Sequence, residues 1–450
     1  MSTWYEKAVF YHMYPLGMTG APREHTDDTV VNRFEELDRW IPHMQELGCN
    51  AVYIGPLFES SSHGYDTRDY KLVDRRLGGN DSFVRFVKLC HEAGIKVVVD
   101  GVFNHTGREF FAFKDIQQNR ERSPYCSWYK GINFGWNTHY NDGFGYEAWR
   151  NCFELVNLNL YERAVKDYLF DVIRFWIHEF DIDGIRLDCA DCLDFDFMKE
   201  MRWMTAQEKE DFWLMGEVIH GDYARWANDD VLHSVTNYEL HKGLYSGHND
   251  HNYFEIAHTI RREFDENGGI YRGRKLYSFV DNHDVDRIMS KLNNKEHIFS
   301  VYTLLYTLPG IPSIYYGSEF GVEGRKEGPN DDPMRPRLLV GECLENNRHP
   351  ELTEYIRMLG KLRKDNEVLA DGKYRELYLT TRQYAYARIL GERAVIVAAN
   401  NDDAPAWMEV SIPVGADKVT DFLTGEEKAV ENGRIRTEVQ PGRAVIYVTK

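Results

Sequence analysis

Four acidic residues fall at or near the ends of apolar runs. Asp100 closes KVVVD, Asp188 closes GIRLD, Glu217 closes WLMGE and Asp284 closes FVDNHD. A carboxylate buried in such a run is costly unless it has partners or a task. One alone would read as a helix cap or a loop anchor; four in equivalent places point to a shared site. Carboxylates that converge without a metal-ligand cluster suit general acid–base and nucleophilic chemistry. Glycoside hydrolysis needs two such groups, one to protonate the leaving oxygen and one to attack the anomeric carbon or activate water. Arg186 stands two residues before Asp188, so alternation along a strand puts both on one face. A cation there favours ionised Asp188, as a nucleophile requires. Glu217 is expected to carry the raised pKa of an acid.

These residues need elements to hold them. Residues 9–15, 51–58, 96–103, 184–189, 212–218, 234–240, 276–282 and 313–319 read as strands. They are continuous apolar runs, the pattern of parallel strands covered by helices on the outside. Between them, 163–181 repeats apolar residues at steps of three and four, from Val165 to Phe180, which is helix periodicity. Residues 30–47, 82–93, 253–266, 296–307 and 351–365 read similarly, and Gly48 and Gly94 suit positions just past helix ends. Eight strands with intervening helices predict a (β/α)8 barrel of α/β class, with its site at the C-terminal rim. No Gly-rich phosphate loop follows the first strand, which argues against an open dinucleotide-binding sheet.

Two segments break the rhythm. Residues 105–157 are aromatic-rich and too long for a simple strand-to-helix loop, so they are expected to form a small inserted domain. After about residue 369 the runs alternate or are β-branched, which predicts a C-terminal antiparallel β-sandwich. The expected domains are 1–104 and 158–368 for the barrel, 105–157 for the insertion and 369–450 for the sandwich.

The bulk composition narrows the partners. The net charge of −18 repels phosphate backbones and anionic lipid heads, so neither nucleic acid nor a membrane surface is an expected partner. Aromatic residues make up 14% of the chain, and their rings can stack on the apolar faces of sugars. The N-terminal MSTWYEKAVFYHMYP lacks a basic stretch followed by an apolar run, and no segment has the ~20 apolar residues of a membrane helix. Seven cysteines, an odd number, several of them in barrel-like runs, fit a reducing compartment, so the expected location is cytoplasmic. Cys189 and Cys192 have CxxC spacing, but no second CxxC is present to complete a zinc site.

The segments DGVFNH (100–105), GIRLD (184–188), MGEV (215–218) and FVDNHD (279–284) resemble, in order, the four signature segments of the α-amylase family. HGYDTRDY (63–70) and GIPSIYYGSEFG (310–321) extend the resemblance, which covers about residues 5–370. It implies Asp188 as nucleophile, Glu217 as acid/base and Asp284 as a third, transition-state-stabilising carboxylate. It further implies that Tyr65, Asp100, His105, Arg186 and His283 grip the sugar. Asp331 and Arg335 resemble a further sugar-binding pair, and His63 would shape the same wall.

ELVNLNLYERAVKDYLFDVIRFWIHEFDIDGIRLD and GEVIHGDYARW look closest to the neopullulanase and cyclomaltodextrinase branch. The first barrel strand begins near residue 9, without the N-terminal domain of many members. The resemblance implies retaining cleavage of α-1,4-glucosidic bonds in maltooligosaccharides, with cyclodextrins as a further substrate class. An α-1,6-glucosidase and a glucanotransferase are the alternatives, because LVNLN (155–159) matches neither branch and Asp191 and Cys192 replace the usual pairs after the nucleophile. A non-catalytic scaffold fits poorly, since all three acids are kept. Asn104 matches a frequent calcium ligand, but no acidic partners for it are identifiable, and hard cations want six or more oxygens. No cofactor or metal is therefore expected. Oligomeric state is left open.

Overall fold

The computed structural model describes residues 3–328 and 330–449. Eight short parallel strands form its centre: β1 (Phe10–Met13), β2 (Ala51–Ile54), β3 (Lys96–Gly101), β4 (Gly184–Leu187), β5 (Trp213–Gly216), β6 (Ser234–Val235), β7 (Tyr277–Phe279) and β8 (Ile311–Tyr315). Their order is β6-β5-β4-β3-β2-β1-β8-β7, with parallel pairing at every step. A bridge between Thr236 and Tyr277 joins the two edges, with the Asn237 N–H donating to the Tyr277 carbonyl at 2.8 Å. The result is the expected barrel.

Alternation along each strand sorts the side chains. Phe10, Ala51, Tyr53, Val98, Trp213, Met215, Tyr277, Phe279 and Ile311 pack together inside the barrel. Their chain neighbours Tyr11, Val52, Ile54, Val97, Val99 and Leu214 face the surrounding helices in the larger core. The helix Arg163–Phe180 shows this second interface clearly: Val165, Leu169, Val172, Ile173, Trp176 and Phe180 are all buried.

Several sequence expectations shift. Residues 234–240 are a strand only over β6; Asn237 then caps a helix, Tyr238–Asn249, its side chain accepting the Leu240 N–H at 2.9 Å. Residues 276–282 end as strand at Phe279. Residues 313–319 are displaced, since β8 starts at Ile311 and stops before Gly317, whose φ of +85° turns the chain. The single helix expected over 30–47 is two, Phe34–Asp38 and Trp40–Glu46. Pro42 falls in the first turn of the second, where its missing N–H costs nothing. A helix at Phe195–Glu208, capped by Asp194, had not been anticipated.

Three excursions complete the chain. A two-stranded ribbon (Phe58–Ser60 with Thr67–Val73) carries His63 and Tyr65 in its turn. Between β3 and the helix at 163, residues 105–157 contain a ribbon of His105–Gly107 with Leu155–Asn157 and a helix, Phe111–Asn119. Beyond the barrel, strands at 373–379, 383–390, 393–400, 444–448, 418–421 and 427–429 form a six-stranded antiparallel sheet in that order. A second pair, Ala406–Ser411 with Arg434–Val439, packs on it through Met408, Val410, Ile435 and Val439.

Candidate active site

The inward-facing series of each strand climbs to the C-terminal rim and becomes polar there. In β3 the series Val98, Asp100 ends in a carboxylate. In β5 it runs Trp213, Met215, Glu217, and in β4 Gly184, Arg186, Asp188. Asp188 and Glu217 each stand one residue past their strand. Backbone hydrogen bonds still hold them: Asp188 N–H to Gly101 O at 3.1 Å and Glu217 N–H to Leu187 O at 2.9 Å.

Arg186, 3% exposed, organises this floor. Its Nη1 lies 3.0 Å from Asp100 Oδ1 and 3.0 Å from Asp188 Oδ1, and its Nη2 lies 3.0 Å from Glu217 Oε2. One guanidinium thus holds three carboxylates. Asp100 also accepts the Tyr53 hydroxyl at 2.8 Å and the Tyr65 hydroxyl at 3.1 Å. Glu217 Oε2 accepts the Cys189 N–H at 3.0 Å, and Oε1 lies 3.4 Å from the Tyr238 hydroxyl.

Asp284 sits in the loop after β7, which Asn282 shapes by accepting the N–H groups of Asp284 and Val285. His283 Nε2 is 3.0 Å from its Oδ2 and Arg335 Nη2 is 3.1 Å from its Oδ1. Arg335 also binds Asp331 at 3.2 Å and donates to the His283 carbonyl at 2.9 Å. The Tyr65 and His283 rings are near-parallel with centroids 5.8 Å apart, and the Tyr14 and His283 rings likewise at 5.6 Å. Tyr14 donates to the His63 carbonyl at 2.6 Å, and His63 Nδ1 accepts the Tyr65 N–H at 3.2 Å.

A cleft of about 1520 Å³ opens over these groups. Asp188, Glu217, Asp284, Tyr65, His105, His63, Asp331 and Arg335 line it. Asp100, Arg186 and His283 are buried beneath, bonded to the lining residues. All the residues singled out from the sequence therefore converge. Tyr14, Tyr53 and Tyr238 had not been singled out. Alternation from Phe10 and Ala51 would have put Tyr14 and Tyr53 on the inward face. Tyr238 was hidden by the strand assigned to its segment.

The charges are unbalanced. Burial pushes the Asp188 carboxyl up to about 8; Arg186 opposes this, while Glu217 and Asp100 add to it. Burial also raises Glu217, again against Arg186 and helped by Asp284. The expectation that Arg186 would keep Asp188 simply ionised is thus modified, because the guanidinium is divided among three anions. Both carboxyls are raised and lean on the same guanidinium, so the two titrate as a pair and not independently. Asp284 differs: burial raises it, but His283 and Arg335 outweigh this and hold it well below the usual carboxylate range. Burial lowers His105 to about 3, so its ring is neutral. Asn104 hydrogen-bonds His105 and Asn157, and among the described residues it has no carboxylate partner.

The catalytic-domain model of the α-amylase family matches residues 37–351, and the neopullulanase-like C-terminal domain model matches 374–446. Neopullulanase 2 of Thermoactinomyces vulgaris is 32% identical over 425 residues, covering 91% of this chain and 69% of that protein. Among solved structures, a cyclomaltodextrinase superposes with a TM-score of 0.87 at 25% identity, over 99% of this chain and 78% of the other. The acarbose-soaked debranching enzyme of Nostoc punctiforme superposes at 0.83 with 26% identity, over 99% of both chains. No helix among the described residues is long and apolar enough to cross a membrane.

Proposed function

The chain belongs to the α-amylase family of glycosidases, and from that premise we propose that it cleaves α-1,4-glucosidic bonds in maltooligosaccharides and cyclodextrins with retention of configuration. The observation that carries this reading is the single Arg186 guanidinium bonded at 3.0 Å to both Asp188 and Glu217 at the foot of an open cleft. The two carboxyl groups are thereby held close, as a nucleophile and an acid acting on the same bond require.

In this mechanism the proton of this pair sits on Glu217 when substrate is bound. Ionised Asp188 attacks the anomeric carbon while Glu217 gives its proton to the departing glycosidic oxygen. Glu217, now a carboxylate, takes a proton from water, which attacks the glycosyl ester and frees Asp188. Asp284 stays ionised between His283 and Arg335 and stabilises the positive charge that develops on the sugar. Tyr65, braced by His283, offers its ring face to the sugar, and His105, neutral, offers a hydrogen bond. His63, Asp331 and Arg335 form the walls. The seven free thiols support a cytoplasmic setting.

The test is a time course of products from maltotriose, isomaltotriose, maltoheptaose, β-cyclodextrin and pullulan, with Asp188→Asn as control. Loss of maltotriose, maltoheptaose and the cyclodextrin, abolished in the variant, is the expected result. Release from isomaltotriose alone would move the assignment to α-1,6 bonds, the reading that the end-to-end likeness to a debranching enzyme supports. Longer products from maltotriose would make it a transferase. An active Asp188→Asn protein would remove the nucleophile assignment.

A further inference from the structure

The CxxC pair of the sequence acquires neighbours in the fold. Asp188 ends β4, and Cys189 follows in a left-handed conformation (φ +35°, ψ +53°). The chain then makes one 3-10 turn, Ala190–Cys192, closed by the Cys192 N–H on the Cys189 carbonyl at 2.8 Å. Cys189 is buried, whereas Cys192, at the end of this turn, is exposed. The Cys189 sulfur lies 3.3 Å from Asp188 Oδ2. A ring nitrogen of His105, arriving from after β3, completes a set in which the His105, Asp188 and Cys189 donor atoms all lie within 4.8 Å of one another. His105 is 2% exposed and its Nε2 has no hydrogen-bond partner.

A thiol, a carboxylate and an imidazole supply three donors of a tetrahedral zinc-type site and leave the fourth position to water. With sulfur at about 2.3 Å and oxygen at about 2.0 Å from such an ion, the sulfur–oxygen edge is about 3.5 Å, close to the 3.3 Å between Cys189 and Asp188. The electrostatics favour a cation as well. Asp100, Asp188 and Glu217 share one guanidinium, so the floor of the cleft is short of positive charge. The second histidine–carboxylate group, His25 with Glu59 and Asp74, differs in this respect. Arg75 and Arg76 already neutralise it, and His25 Nδ1 faces the Ser60 carbonyl.

We propose that Cys189, Asp188 and His105 form a site for a thiophilic divalent cation of the zinc class, and that its occupation switches the enzyme off by withholding the Asp188 carboxylate from the sugar. Binding displaces the Cys189 thiol proton, and the proton that Asp188 holds, to solvent and involves no oxidation. Hard cations, which prefer many oxygens and avoid thiolates, do not substitute.

The experiment is a calorimetric titration of ZnCl2 into the full chain, kept reduced by a phosphine, with MgCl2 and CaCl2 in parallel. Cobalt(II) serves as spectroscopic probe, since a thiolate ligand gives an intense near-ultraviolet charge-transfer band. The expected result is one tight zinc site, a cobalt–thiolate band, and loss of turnover that a chelator reverses. Cys189→Ser and Cys189→Ala should each weaken zinc by ~10-fold or more, with inhibition referred to each variant's own zinc-free rate. Unchanged zinc affinity in Cys189→Ser, or absence of the thiolate band, overturns the site; Cys189→Ser decides even if Cys189→Ala does not fold. Zinc bound through the Cys189 thiolate without loss of turnover overturns the switch. The inhibition arm rests on Asp188 as nucleophile, whereas the binding arms do not. A chain that binds zinc as described yet cleaves no α-glucan therefore refutes the functional reading and leaves the site standing.

Discussion

Replacing the proposed nucleophile by its neutral isostere should make the protein more stable. Asp188 carries a carboxyl pushed from about 3.8 to about 8 by burial and by the carboxylates of Glu217 and Asp100. In the unfolded chain the same group ionises freely, and at pH 7 that ionisation is worth roughly 4 kcal/mol to the unfolded state. The folded state, which keeps the proton, forgoes it. Because its pKa is raised, the group favours folding only below about pH 4, and its cost grows as pH rises towards 8 and then levels off. Asp188 and Glu217 titrate as a pair, so removing one carboxyl recovers about half of this, roughly 2 kcal/mol at pH 7 and under about 1 kcal/mol at pH 5. Asp188→Asn keeps the shape and leaves Arg186 with Asp100 and Glu217 as partners. Thermal unfolding of the inactive variant and the parent, followed by calorimetry from pH 5 to 8, measures the difference. The variant should melt higher by about 2 °C or more at pH 7, with the gap widening as pH rises. A variant that melts at or below the parent at pH 8, or a gap that narrows with pH, would refute the idea that this floor is short of positive charge.

Other expectations follow from the same geometry. Activity as kcat/KM should fall as pH rises through about 8, because the Asp188–Glu217 pair then loses the proton that the leaving group needs; a profile flat to pH 9.5 contradicts this. Glu217→Gln should lower turnover of maltotriose by about 10²–10⁴-fold but lower the first step on α-maltosyl fluoride far less, since fluoride departs without a proton. Equal losses on both substrates would take the acid role from Glu217. Away from the cleft, Gly360→Ala would put a Cβ 2.0 Å from the Leu47 carbonyl oxygen, where the Pro350–Asp365 helix crosses the chain at Gly48. Urea unfolding should show a loss of about 1–3 kcal/mol with KM unchanged; an unaltered midpoint would mean that the two backbones separate easily.

Much of the fold was legible because barrel strands are buried on both faces. Runs such as KVVVD and FWLMGE are apolar without interruption until the rim, so both the strand and the place where its chemistry begins show in one dimension. The acids of the candidate site were legible for the same reason, since a carboxylate at the end of such a run stands out; Tyr65, His63, His105, His283, Asp331 and Arg335 showed only through the resemblance to the family. The misread segment, SVTNYEL, is short of that signal, because β6 has two residues and the helix behind it starts with Tyr238 and Glu239, an aromatic and an acid that a strand could also carry. Its helical state is decided by the Asn237 cap and by packing against β7.

The sequence by itself determined which residues face the barrel interior and which of them are charged, since a two-residue repeat is a local property of extended backbone. What it left undetermined is how charge is shared. That one arginine serves three carboxylates, that Asp284 has its own pair of cationic partners, and that Cys189 meets His105 beside the nucleophile all depend on strands far apart in the chain meeting at one rim. Proton affinity and metal affinity depend on burial and on distances of a few ångströms between such groups. Those distances exist only after the barrel has closed.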